Sequence, residues 1–179
     1  MKRVLNVVLG CAILLISTAL LLAHGNAHAT EKISVNGAEV SVDYHRPSLN
    51  GRSVEQLLAQ LGPGGIWRLG ADQATGFVTT GDLSFMNGGQ GSVSVPKGEY
   101  TLWARKGADG GWELLFNSKT GREGRRYDAA TDVAAVPLRQ DEAGEAAEVL
   151  TIGLTESGQR GELTIRWGDL SLATTFNSN

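Results

Sequence analysis

Few residues in this sequence have the chemistry of a catalytic or metal site. Cysteine occurs once, at Cys11, and histidine three times, at His24, His28 and His45. Cys11, His24 and His28 all fall in an N-terminal stretch that reads as an export leader, so His45 is the sole imidazole expected beyond it. A zinc site drawing most of its ligands from His and Cys is therefore excluded, and no metal or cofactor is expected. A Ser-His-Asp arrangement would have to use His45 as base. Asp43, Asp72 or Asp132 would orient it and Ser48, Ser53 or Thr75 would be the nucleophile, but no nucleophile-elbow motif accompanies them. Carboxylates are numerous, yet no spacing singles out a glycosidase pair.

Two other groups have chemical potential. Arg46, Arg52 and Arg68 are planar forks that can grip a carboxylate, a phosphate or sugar hydroxyls; they can equally pin loops by pairing with internal acids such as Asp43, Asp72 or Asp82. Trp67, Trp103, Trp112 and Trp167 could stack on a sugar ring, but Trp103, Trp112 and Trp167 sit in alternating segments where one face must be buried. Trp67 follows a glycine-rich turn and abuts Arg68, which makes it the best pocket wall of the four. The basic run Arg122, Arg125 and Arg126 lies in a long irregular stretch, Ser118 to Asp132, a length that is often functional.

The leader is read from three features. Lys2 and Arg3 open the chain, Val4 to Ala23 is nearly continuous apolar sequence, and Ala27-His28-Ala29 supplies small residues at the spacing a signal peptidase accepts. Cleavage is expected near Ala29, giving a leader over residues 1–29, a single domain over 30–179, and a periplasmic or secreted location. Left uncleaved, the apolar run of roughly 20 residues is long enough to anchor the chain in a bilayer; no other membrane contact is expected. The leader carries two of the 16 basic residues and none of the 19 acidic ones, so the remainder has a net charge of −5. That acidity argues against nucleic acid as a partner.

The elements that must position these residues are short strands. Ile33–Val35 and Ala38–Tyr44 flank Asn36-Gly37, the preferred pair for a tight hairpin turn. Alternation puts Val40, Val42 and Tyr44 on one face, Leu150, Ile152 and Leu154 on another, and Leu163, Ile165 and Trp167 on a third. About ten such strands, spaced as in all-β folds, predict a single all-β domain, a jelly-roll-like β-sandwich. One helix is expected from Ser53 to Leu61, capped by Ser53 with Gln56 completing a capping box.

Four stretches carry a resemblance. They are Tyr44-His45-Arg46-Pro47 with Gly51-Arg52; Trp67-Arg68-Leu69-Gly70-Ala71-Asp72-Gln73-Ala74-Thr75; Pro96-Lys97-Gly98-Glu99-Tyr100-Thr101-Leu102; and Trp112 to Asn117 with Gly124 and Tyr127. In order and spacing they resemble the bacterial family known as domain of unknown function 2911. The resemblance implies an exported, β-rich protein and no reaction. His45 stands where that family usually has a small polar residue, and Asp72 where Asn is common.

These stretches concentrate polar and aromatic residues where packing alone would favour apolar ones. The expected function is therefore a non-enzymatic module for a small anionic or sugar-like ligand. Its pocket would draw on Tyr44, Arg46, Arg52, Trp67, Arg68, Asp72, Thr75, Asn117 and Tyr127. The alternatives are a cofactor-free hydrolase or isomerase acting on cell-envelope material, and an envelope structural or interaction protein.

Overall fold

The computed structural model describes residues 26–61, 64–89, 91–142 and 144–178. Residues 1–25 of the expected leader lie outside them, as do Gly62 and Pro63, which follow the expected helix directly. In chain order the elements are β1 (Ala27–Val35), β2 (Ala38–Arg46), α1 (Val54–Leu58), β3 (Ile66–Trp67), β4 (Gly76–Thr79), β5 (Leu83–Met86), β6 (Ser92–Val95), β7 (Gly98–Lys106), β8 (Trp112–Asn117), β9 (Asp132–Gln140), β10 (Ala147–Ser157), β11 (Arg160–Gly168) and β12 (Leu170–Ser178). Two 3-10 turns, Glu123–Arg125 and Ala129–Thr131, interrupt the segment between β8 and β9.

All strand pairs are antiparallel and run in the order β1-β2-β4-β7-β8-β9-β12-β11-β10, with β3 beside β7 and the β5–β6 hairpin beside β12. The ladder folds back on itself where β9 meets β12 through Leu172↔Gln140 and Ala173↔Arg139. The result is an all-β sandwich of two layers, nearly closed into a barrel, as the alternation of the sequence predicts. The core between the layers is lined by the expected faces. Val40, Val42, Tyr44, Leu150, Ile152, Leu163 and Ile165 are almost fully buried, and Phe77, Phe85, Phe116 and Phe176 fill the space between them.

Asn36 and Gly37 both have positive φ, 49° and 82°, as a primed hairpin turn requires. The Asn36 side-chain amide reaches the carbonyls of Gln159 and Ser178, both at 3.4 Å, so the hairpin tip abuts the end of β12. The first strand reaches back to Ala27, well before Ile33. Residues 27–29, which the sequence places in the leader, pair in register with Arg46, His45 and Tyr44.

The helix is shorter than its capping signal suggests. Ser53 and Gln56 form both bonds of the capping box. The last turn then tightens into i→i+3 bonds, Gln60 to Leu57 and Leu61 to Leu58; Val54 is buried and Leu57, Leu58 and Leu61 pack partly buried against the core, a contact too short to extend the helix further.

Closure depends on one side of β10. Its far edge pairs with β11, but the near edge faces β1 and β2 without a continuous ladder. The segment that follows β2 supplies the missing partners. Leu49 N–H donates to the Glu148 carbonyl at 2.9 Å, and Leu150 N–H donates to that of Pro47 at 3.0 Å. The buried Tyr44 hydroxyl then accepts from Ile152 N–H at 2.9 Å and donates to Ile152 C=O at 3.0 Å. Arg46 completes the edge with Nε on the Leu150 carbonyl at 3.1 Å and a second nitrogen on Thr151 Oγ1 at 2.9 Å. Tyr44→Phe keeps the ring and strands both Ile152 groups in the core. It is expected to lower unfolding free energy by about 2–6 kcal/mol, since each buried unpaired group costs about 1–3 kcal/mol. Urea unfolding should show a lower midpoint with an unchanged slope.

Candidate functional site

Strand register aligns one polar row on the outer face of the larger layer. Thr30, Asp43, Gly76, Thr101, Asn117 and Asp132 are successive cross-strand partners on β1, β2, β4, β7, β8 and β9. Their neighbours Val42, Phe77, Leu102 and Phe116 point the other way, into the core. Gly76 leaves a gap in this row. A Cβ there would meet only Asp43, at an ordinary 4.0 Å, so the space above it is open.

A cleft of about 320 Å³ lies over that gap. Gly76 and Thr101 form its floor. Gln73 and Ala74 wall one side, Thr120, Gly121 and Arg122 the other, and Val78 and Glu99 lie along its length. The two wall loops are tied together by a hydrogen bond from the Arg125 guanidinium to the Gln73 side chain.

Each wall has its own lock. In the first, Leu69 and Asp72 adopt left-handed backbone, with φ of 52° and 55°. Such a conformation is costly for Leu and is held here by burial of its side chain and by Thr75, whose hydroxyl donates to the Leu69 carbonyl at 2.8 Å. Gly70 lies against this bond, where any Cβ would crowd Thr75 Oγ1 and the His45 carbonyl. In the second, the buried Asn117 amide donates to the Asp128 carbonyl at 3.0 Å and to Asp132 at 2.8 Å. Its oxygen accepts from Lys119 N–H and from the Thr131 hydroxyl, both at 3.0 Å. Tyr127 donates to Asp132 at 2.6 Å and lies edge-on to Trp103, 5.4 Å between ring centres.

Beside the gap, Asp43 accepts from Thr30 at 2.8 Å and pairs with His28 Nε2 at 2.8 Å. Partial burial works to raise the Asp43 carboxyl, but these two bonds outweigh it and hold it below the usual range. His28 and His45 are adjacent, 5.1 Å between ring centres. Asp72 accepts from the side chain and the backbone N–H of Asn26, both at 3.2 Å, and is likewise held low. Two buried polar atoms on this face, His45 Nδ1 and Trp103 Nε1, have no partner among the described residues. Unpaired buried donors and acceptors are uncommon in folded proteins.

The nine residues singled out by the sequence do not meet at one point. Thr75, Asn117 and Tyr127 build the walls, and Arg68 and Asp72 sit on the first loop, with Arg68 making one long bond to the Gln73 carbonyl, 3.4 Å. The other four lie elsewhere. Tyr44 and Arg46 close the β10 edge. Arg52 bonds the carbonyls of Leu49 and Ser48. Trp67 is buried, stacked on Trp167 at 5.8 Å and edge-on to Trp112 at 6.0 Å. Among the described residues none of the three arginines pairs with a carboxylate. Sequence reasoning missed Gly76, Thr101 and His28. The readable signals were a lone glycine in a strand and polar residues at outward positions. Among the described residues no group of three or more His, Asp or Glu is placed to hold a metal ion, and no helix is long and apolar enough to cross a membrane.

All three tyrosines are raised above the ordinary phenol range, Tyr44 and Tyr100 chiefly by burial. Tyr127 is pushed up to about 12 by burial and then by its bond to Asp132. The unfolded chain therefore releases these protons first as pH rises past about 10. Stability should be fully present below pH 10 and fall between 10 and 12. Tyrosinate absorbance of the folded protein should lag that of the urea-unfolded chain, and Tyr127→Phe should flatten the loss.

No curated protein and no solved structure matches the chain. The model of the family described as "Protein of unknown function (DUF2911)" matches residues 26–176, which takes in β1 to β11 and most of β12. The chain belongs to that family.

Proposed function

We propose that this chain is an exported, non-enzymatic domain that holds a small hydroxyl-rich, sugar-like ligand in the cleft over Gly76. The observation that carries this reading is the gap itself: a strand position without a side chain, in the middle of a polar row, walled by two loops that are each locked by buried hydrogen bonds. Rigid walls favour binding because little ordering is needed when a ligand arrives. The volume suits a small molecule. Neutral donors and acceptors on Gln73 and Thr120 match hydroxyls, and Val78, 39% exposed, offers an apolar surface to a ring. Arg122 and Glu99 offset each other, which favours a neutral ligand over a strongly anionic one. The basic and apolar residues that open the chain, Lys2 to Ala23, support export.

The His28–Asp43 pair next to the gap favours one second reading, a hydrolase or isomerase with His28 as general base. That reading requires turnover that His28→Gln abolishes while binding survives.

Gly76→Val is the discriminating variant. Its backbone is ordinary extended strand, a β-branched residue suits that position, and the new methyls fill the cleft floor. A thermal-shift panel of free hexoses, amino sugars and sugar acids should contain a member that raises Tm by roughly 5–10 °C when present at about 100 times its dissociation constant. Gly76→Val should fold with an unaltered or higher Tm and show no shift. A panel without any hit, or equal shifts in the two proteins, would overturn the proposal.

A further inference from the structure

We propose that the leader is cut between Gly25 and Asn26, and that Asp72 receives the α-ammonium group that this cut creates. The small residues at Ala27 and Ala29 invite a cut after Ala29, but the fold uses the residues that would be lost. Ala27, His28 and Ala29 are the first three of the nine residues of β1, each in register with β2. Ala29 packs against the core. His28 holds Asp43 at 2.8 Å, and Asn26 holds Asp72 through both its backbone and its side chain. A chain starting at Thr30 would lose these contacts and leave Tyr44, His45 and Arg46 as an unpaired strand end.

The sequence offers a second cut that spares all of them. Ala23-His24-Gly25 repeats the small-x-small spacing, and it ends immediately before Asn26. Two independent features meet at that residue. The family match begins there, at residue 26. The Asn26 backbone nitrogen already donates to Asp72 Oδ2 at 3.2 Å. Hydrolysis of the Gly25–Asn26 peptide bond adds water across it, releasing a carboxylate on Gly25 and an amine on Asn26. That amine takes up a proton at neutral pH, so a hydrogen bond to Asp72 becomes an ion pair. Both Asn26 nitrogens meet the same Asp72 oxygen, at 3.2 Å each, so the carboxylate already lies at the position of the new amine. The mature domain then retains His28 and carries two imidazoles beside the cleft.

The cut presupposes export, as proposed above, and the test separates the two. The full chain is expressed in a secreting bacterial host, and the exported protein is read by intact mass and N-terminal sequencing. The expected first residue is Asn26. A start at Thr30 would overturn the position and leave export standing, whereas a full-length chain would overturn both. Gly25→Leu should accumulate precursor and Ala29→Leu should be cut normally; the reverse pattern sinks the proposal independently of whether either variant folds. For the second half, the α-amine is titrated by its rate of reductive methylation. Its pKa should lie above the ordinary range of about 7.7–8.0 and return to it in Asp72→Asn. Equal values in the two proteins would show that Asp72 does not receive the amine.

Discussion

The near edge of β10 is the constraint on which the fold depends. A two-layer sandwich has edges, and an unpaired edge strand is both a loss of hydrogen bonding and a template for aggregation. Here the layers are joined on one side by the β9–β12 pairs, and the other side is sealed by a few residues following one another at the end of β2. Tyr44 reaches across the core to serve a donor and an acceptor of the same residue. Arg46, one pleat further on but less buried, serves the next carbonyl. With these in place β1 and β2 are fixed against β10, and the row of residues on their outer face is fixed with them.

The cleft follows from that rigidity. Its floor is sheet, and its walls are loops whose ends are fastened by Thr75 and Asn117. Neither residue is placed to meet a ligand through the bonds it already makes, yet both decide where Gln73, Ala74 and Arg122 stand. Asn117 is instructive because all of its side-chain capacity is directed to the segment between β8 and β9 and to the first residue of β9. A buried amide with four partners of its own chain organises a loop much as a bound ion would, with no ion required.

Much of the scaffold was legible in the sequence because period-two alternation directly reports which face of a strand is buried. Asn36-Gly37 fixed the first hairpin, and Ser53 with Gln56 fixed where the helix begins. The helix end was not legible: a capping box marks a start, while length depends on a partner surface that only the tertiary fold reveals. Leu69 leaves β3 through left-handed backbone that no apolar residue advertises. The site was harder. Tyr44, Arg46 and Trp67 stand out in sequence because they are large and polar or aromatic, and those same properties let them satisfy distant backbone or fill a core. Gly76 and Thr101 are inconspicuous, and their significance arises only when register sets them side by side. The start of β1 was hidden for a related reason, since Ala27 and Ala29 fit a peptidase pocket and a pleated sheet equally well.

The contact between Asn36 and the carbonyl of Ser178 has a geometrical consequence. Asn36 follows the last residue of β1 and Asn26 precedes its first, so the two ends of the domain are separated by the length of that strand, roughly 30 Å at about 3.4 Å per residue. One pole of the sandwich carries Asn26, Asp72 and His28, and the opposite pole carries Asn36 and Ser178. A fusion partner or immobilising group joined beyond Ser178 would therefore be held at the pole opposite Asn26, leaving Asp72 and His28 facing solvent on a tethered molecule.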